Sequence, residues 1–170
     1  MLSEKLLEEI NTQINKELYS AYLYLAMAAY FEGEGMSGFA GWMKVQAQEE
    51  TFHALKFFNH VNERGGKVVL QPIEGPPAEW DSPLAVFEYT LEHERFVTGR
   101  INLLLQIARE ENDYASESFL KWYVDEQVEE EASAAAIIDK LRLVGEMGGG
   151  LFMLDKELGS RVFTPPVAEQ

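Results

Sequence analysis

The chain has 170 residues, 46% of them hydrophobic, with 29 acidic against 14 basic side chains and a formal net charge of −15. An acidic surface of that size repels phosphate backbones and anionic headgroups, which argues against nucleic acid and membrane as partners and favours cations. Cysteine is absent, so disulfides, thiolate-bound zinc and thiolate-bound iron are excluded.

The opening stretch, MLSEKLLEEI, is acidic and amphipathic and lacks the basic-then-apolar order of a signal peptide. The longest uncharged apolar run, Ala21 to Phe31, falls short of the roughly 20 residues that span a bilayer. A cytoplasmic protein folding as one domain over residues 1–170 is the expectation. Helical spacing then recurs over four long segments. The first is predicted over 3–32, with Ser3 as N-cap and Gly33 and Gly35 at its end. The second is predicted over 37–64, with Ser37 as N-cap and Gly65-Gly66 as its stop. The third, over 83–111, opens with Ser82 as cap and Pro83 at the first helical position. The fourth, over 113–145, begins at Asn112 or Asp113.

Short connections make the first and second helices, and the third and fourth, antiparallel hairpins. Between the hairpins lies GGKVVLQPIEGPPAEWDS, too proline-rich for a helix and long enough to run the length of a bundle. The fold class is therefore all-α: a four-helix bundle with one long crossover between helices 2 and 3. After the flexible-looking triplet Gly148–Gly150, the apolar segment LFMLDKEL predicts a short fifth helix of about two turns over 150–158, followed by a flexible tail over 160–170.

Core positions on bundle helices advance in alternating steps of three and four. Each such stripe here is apolar towards its ends and polar at its middle: Gln13 and Glu17 on the first helix, Gln46, Glu50 and His53 on the second, Glu94 on the third, Gln127 and Glu130 on the fourth. Four glutamates and a histidine would thus meet at one level. One such residue on a stripe is ordinarily a register-setting or hydrogen-bonded core group, but a coincidence across four helices is not. Buried carboxylates without partners are costly, and like charges add repulsion. No lysine or arginine lies on the stripes near that level, whereas two divalent cations would balance four carboxylates. Glu50-x-x-His53 puts both groups on one helix face, one turn apart. Oxygen ligands with one imidazole suit Fe(II) or Mn(II), so the layer reads as a di-metal carboxylate centre for O₂ or peroxide chemistry. His60 and His93 fall away from this level and are read as core or surface histidines.

The segments NKELYSAYLYLAMAAYF, GFAGWMKVQAQEETFHALKFFNHVNERGG, PPAEWDSPLAVFEYTLEHE, FLKWYVDEQVEEE and LDKELGSR together resemble the non-haem ferritins of bacteria and archaea, over almost the whole chain. The resemblance implies a ferritin-like subunit with a short fifth helix, a homo-oligomeric shell of about twenty-four chains, and iron storage through a ferroxidase reaction. It assigns Glu17, Glu50 and His53 to a first iron site with Glu50 bridging, and Glu94 and Glu130 to a second with Gln127 beside it. Tyr24 matches the tyrosine next to the di-iron centre, an electron donor in this assignment, and Trp122 an aromatic neighbour. Glu49, Glu126 and Glu129 resemble the ligands of a third iron site, while Glu131 is read as part of a solvated acidic run. Fe(II) with O₂ or peroxide are the implied partners. Haem is not expected, because the haem-binding methionine of bacterioferritins is replaced by Thr51 and their second Glu-x-x-His by Gln127-x-x-Glu130. Of two acidic positions lining a threefold channel in animal ferritins, Glu117 matches one and Leu120 departs from the other. The rival readings are a small di-iron or di-manganese oxidase that stores nothing, a DNA-protecting mini-ferritin, and an inactive shell subunit.

Overall fold

Local chemistry starts three of the long helices. Ser3 Oγ accepts from the Leu6 amide at 3.0 Å, Ser82 Oγ from Ala85 at 3.1 Å, and Asp113 Oδ1 from Ser116 at 3.1 Å, each satisfying an amide that has no partner inside its helix. In the computed structural model, which describes residues 1–145 and 148–165, α1 spans Glu4–Gly33, α2 Ser37–Glu63, α3 Pro83–Glu110, α4 Tyr114–Val144 and α5 Gly148–Leu158. No strand occurs among the described residues.

The second helix departs from its expected start. Ser37 is its first helical residue rather than its cap, and Met36 at the cap position offers no side-chain acceptor. The acceptor comes from α5: Asp155 Oδ1 takes the amides of Gly38 at 2.9 Å and Phe39 at 3.0 Å. A carboxylate there also complements the positive end of the helix dipole. Contact this close requires glycine, because a Cβ on Gly38 would lie 1.7 Å from the Asp155 carbonyl oxygen.

The fifth helix also starts earlier than its apolar segment suggests. Gly148–Gly150 forms its first turn, and a Cβ on Gly150 would come within 2.8 Å of Val144 Cβ at the end of α4. Glycine here serves close packing. Leu154 and Leu158 are buried, and α5 rests on α2 and α4. The segment expected as tail from residue 160 is anchored at its beginning through Arg161; residues 166–170 of it lie outside the described residues.

Helices α1 and α2 pack as one hairpin, α3 and α4 as the other, and α1 also meets α3. The crossover lies along α1 in extended form. Asn11 donates to the Lys67 carbonyl at 3.1 Å and accepts from the Val69 amide at 2.8 Å, and Asn15 donates to the carbonyls of Gln71 and Pro72 at 3.3 and 3.1 Å. Within the bundle the apolar core is split in two. One cluster includes Leu23, Met27, Phe31, Phe39, Phe87 and Ile137; the other includes Leu6, Ile10, Phe57, Ile101, Leu104 and Leu120. Leu120 is core, and Glu117 pairs with Arg109 at 2.7 Å. No helix is long and apolar enough to cross a membrane among the described residues.

Gly38→Ala should force α5 off the start of α2 and cost about 1–3 kcal/mol, the usual range for overpacking. Thermal unfolding checks this; an unchanged midpoint would contradict the close approach.

Candidate metal centre

The polar layer sits between the two clusters. Gln13, Glu17, Gln46, Glu50, His53, Glu94, Gln127 and Glu130 are all buried, with Glu17 and Glu94 each only 1% exposed. Each helix delivers them from the middle of its core stripe, so the apolar residues on either side fix their height in the bundle. Two groups have ligand atoms within 4.8 Å of one another: Glu17, Glu50 and His53, and His53, Glu126 and Glu130. His53 lies between them. Its Nδ1 is 3.5 Å from Glu50 Oε2 and 3.9 Å from Glu17 Oε2, while Nε2 is 3.9 Å from Glu126 Oε1. Tyr123 donates to the His53 carbonyl at 2.8 Å, and Trp122 meets the imidazole edge to face at 5.4 Å.

Glu94 stands outside both groups and is held by hydrogen bonds. The Tyr24 hydroxyl donates to its Oε1, and Gln127 Nε2 donates to its Oε2 and to its carbonyl, both at 3.1 Å. With two acceptors around it, the nitrogen of Gln127 is the end that faces Glu94. Through that amide Gln127 supports the Glu94 carboxylate. Of the three residues expected off the stripes, Glu126 joins the His53–Glu130 group, Glu129 is exposed, and Glu49 accepts from Arg161 at 2.5 Å. His60 stacks on Phe119 at 3.9 Å and His93 meets Ser20 Oγ at 2.8 Å, both away from the layer.

Among the described residues, one buried side-chain oxygen lacks any hydrogen-bond partner: Glu17 Oε2. Its sister, Oε1, accepts from Gln13 at 2.8 Å. A native core rarely leaves a carboxylate oxygen so exposed to desolvation without a partner, and a hard cation is the partner that oxygen donors of this kind accept.

The ferritin-like domain family matches residues 7–144. A bacterial non-heme ferritin of Bacteroides fragilis is 47% identical over 161 residues, covering 95% of this chain and 100% of the relative. This chain belongs to the ferritin family. One of Staphylococcus aureus is 43% identical, covering 96% of this chain and 98% of that one. Among solved structures, an engineered closed form of Archaeoglobus fulgidus ferritin is 58% identical with a TM-score of 0.95, over 96% of this chain and 100% of that one. An open-pore ferritin of the same archaeon is 57% identical with a TM-score of 0.94, over 95% and 100% respectively.

In this ferritin the layer's electrostatics follow from burial. Desolvation, opposed by the hydrogen bonds from Tyr24 and Gln127, pushes the Glu94 carboxyl from 4.5 up to about 7. Desolvation and then the charge of Glu94 push Glu130 up to about 8, against the opposing effects of His53 and Gln46. Glu50 is raised well above its ordinary range by burial and by Glu94, Glu17 and Glu130. Burial and then Glu94 also raise the Tyr24 phenol, which keeps its proton and stays a donor. Glu126 and Glu49 are raised by burial too, with Arg161 opposing at Glu49. His60 and His93 are lowered by burial to about 4 and are neutral near pH 7.

Sequence reasoning missed the two arginines that reach this layer, Arg100 and Arg161. Arg100 lies one position off the core stripe of α3, and Arg161 follows a helix more than a hundred residues away in sequence from its partners on α2. The local signal for Arg100 was its place two residues after Thr98 and beside the stripe residue Ile101; for Arg161 there was none.

A carboxyl with a raised folded-state pKa binds its proton more tightly folded than unfolded. Its contribution to stability is therefore fully present below the unfolded value and is lost as pH rises through the folded value. Metal-free ferritin should accordingly lose stability between about pH 5 and pH 8 through Glu94 and Glu130, and divalent metal should restore it. Thermal midpoints of metal-free protein across that range, set beside those of the Glu94→Gln/Glu130→Gln double variant, measure the effect. A slope identical in the two proteins would contradict it.

Proposed function

We propose that this ferritin oxidises Fe(II) to Fe(III) at a di-iron ferroxidase centre within each subunit and stores the product as a ferric oxyhydroxide mineral inside a homo-oligomeric shell of about twenty-four chains. The observation that carries the reading is the unpartnered Glu17 Oε2, buried beside His53 and Glu50. Fe(II) is the substrate. Glu17, Glu50 and His53 hold one ion, with Glu50 bridging towards a second that Glu94 and Glu130 hold and Gln127 supports. Each Fe(II) gives up one electron, and a pair of them reduces O₂ to the peroxide level; peroxide is the alternative oxidant. Neither step requires a resident haem.

The chain's own groups serve that reaction in definite ways. The carboxylates neutralise the charge of both iron oxidation states. Tyr24, protonated and bonded to Glu94, orients that carboxylate and stands where it can donate a further electron. Glu126, with Glu49 and Glu129 nearby on α2 and α4, forms the third iron position on the way to the mineral. Arg161 holds Glu49, so iron there must compete with a guanidinium. Assembly is supported by apolar side chains left on the outside: Tyr22 and Leu25 on α1, and Val69, Leu70 and Ile73 on the crossover. A cytoplasmic store fits a chain whose described helices cannot cross a membrane.

Glu50→Ala should slow the initial aerobic oxidation of Fe(II) by at least the roughly 10- to 100-fold that loss of a mere supporting partner costs a metal site, while slow mineral growth persists. Stopped-flow absorbance measures this, and unchanged initial rates would sink the assignment. Sedimentation after aerobic addition of many Fe(II) per chain tests storage. Iron travelling with one large particle is expected; iron saturating at about two per chain on a small species would make the protein a di-iron oxidase of the same fold.

A further inference from the structure

Two glutamines of the polar layer are each gripped from both sides. On α1, Gln13 Nε2 donates to Glu17 Oε1 at 2.8 Å, and Arg100 Nε donates to Gln13 Oε1 at 3.3 Å. On α2, Gln46 Nε2 donates to Glu130 Oε2 at 2.5 Å, and Arg161 Nη1 donates to Gln46 Oε1 at 2.5 Å. Each arginine is itself moored. Arg100 Nη2 donates to Glu9 Oε2 at 2.8 Å, one turn before Gln13. Arg161 Nη2 donates to Glu49 at 2.5 Å, and its guanidinium lies 4.4 Å over the Trp42 ring.

We propose that Arg161, acting through Gln46, is a positioning residue for Glu130, and that Arg100 does the same for Glu17 through Gln13. A guanidinium can only donate and a carboxylate can only accept, so an amide between them has one satisfied orientation, oxygen to the arginine and nitrogen to the glutamate. Each arginine thereby fixes which end of the glutamine faces the site. The amide then occupies one carboxylate oxygen and leaves the other for metal. At Glu17 that division is visible, since Oε1 is taken and Oε2 is the unpartnered atom. An arginine placed directly on either glutamate would cover both oxygens and repel an incoming cation. The neutral amide keeps the full charge one group away while transmitting the orientation.

The inference rests on the reading of this layer as the Fe(II) site, and the experiment separates the two. Co(II), kept divalent by excluding oxygen, is titrated into the full-length assembled protein, and its visible bands report each bound ion. The wild-type chain is expected to bind two ions per subunit at distinguishable positions. Gln46→Met should weaken the ion held by Glu130 by about 10- to 100-fold and leave the ion at Glu17 unchanged; Gln13→Met should do the reverse. Arg161→Met should match Gln46→Met, and the two together should be no worse than either alone, because they remove one relay. Arg161→Lys, still able to donate to Gln46, should keep most of the affinity. Wild-type affinity at both positions in Gln46→Met would overturn the relay while leaving the iron site intact. A loss in Arg161→Met without one in Gln46→Met would overturn it in favour of an effect on the docking of α5. A wild-type chain that binds no Co(II) would overturn the iron site and the relay with it.

Discussion

A carboxylate taken out of water must meet a cation, gather donors or pick up a proton, and four of them at one level of a helical bundle make this the constraint around which the chain is organised. The effective penalty is several kcal/mol for each buried ion. The apolar clusters on either side supply the burial energy that holds the helices in register, and the polar layer draws on it. Glu17, Glu94 and Glu130 each receive an amide donor, from Gln13, Gln127 and Gln46. These donors compensate part of the desolvation, and the raised Glu94 and Glu130 show how much is left over. Burial thus favours the protonated forms of Glu50, Glu94 and Glu130, and a pair of divalent cations would displace those protons.

Much of this was legible in the sequence, because the bundle's period makes it so. Alternating steps of three and four place Glu17, Glu50, His53, Glu94 and Glu130 on one level. Ser3, Ser82 and Asp113 are caps whose acceptor lies within three residues of the donor, and local signals of that kind are readable along the chain. What escaped are contacts made by the fold itself. Ser37 has the composition of a cap, yet Asp155 does the capping from the far end of the chain. Gln13 and Gln46 stood out as interruptions of a stripe, but their purpose depends on Arg100 and Arg161, whose approach no window of sequence contains. Gln127 is the instructive middle case, since its position was visible while the end of its amide that faces Glu94 was not.

The short fifth helix therefore matters more than its two buried leucines suggest. It satisfies the amides at the start of α2 through Asp155 and then delivers Arg161 to Trp42, Gln46 and Glu49 further along the same helix. These contacts lie on one side of α2, about one turn apart. The C-terminal segment is thus bound along the helix that carries both Glu50 and His53.

The crossover has a consequence of a different kind. Asn11 and Asn15 sit one turn apart on α1 and bond the passing chain at the alternate residues Lys67, Val69 and Gln71, with Asn15 also reaching the Pro72 carbonyl. A strand presents a given edge only at every second residue, whereas a helix presents a face at every third or fourth. The span from Lys67 to Gln71 is where these two rhythms coincide, so its length is a ruler rather than a slack tether. Loops ordinarily absorb insertions without complaint; here one added residue would turn the bonded edge outward and leave the buried Asn11 amide facing side chains instead of backbone.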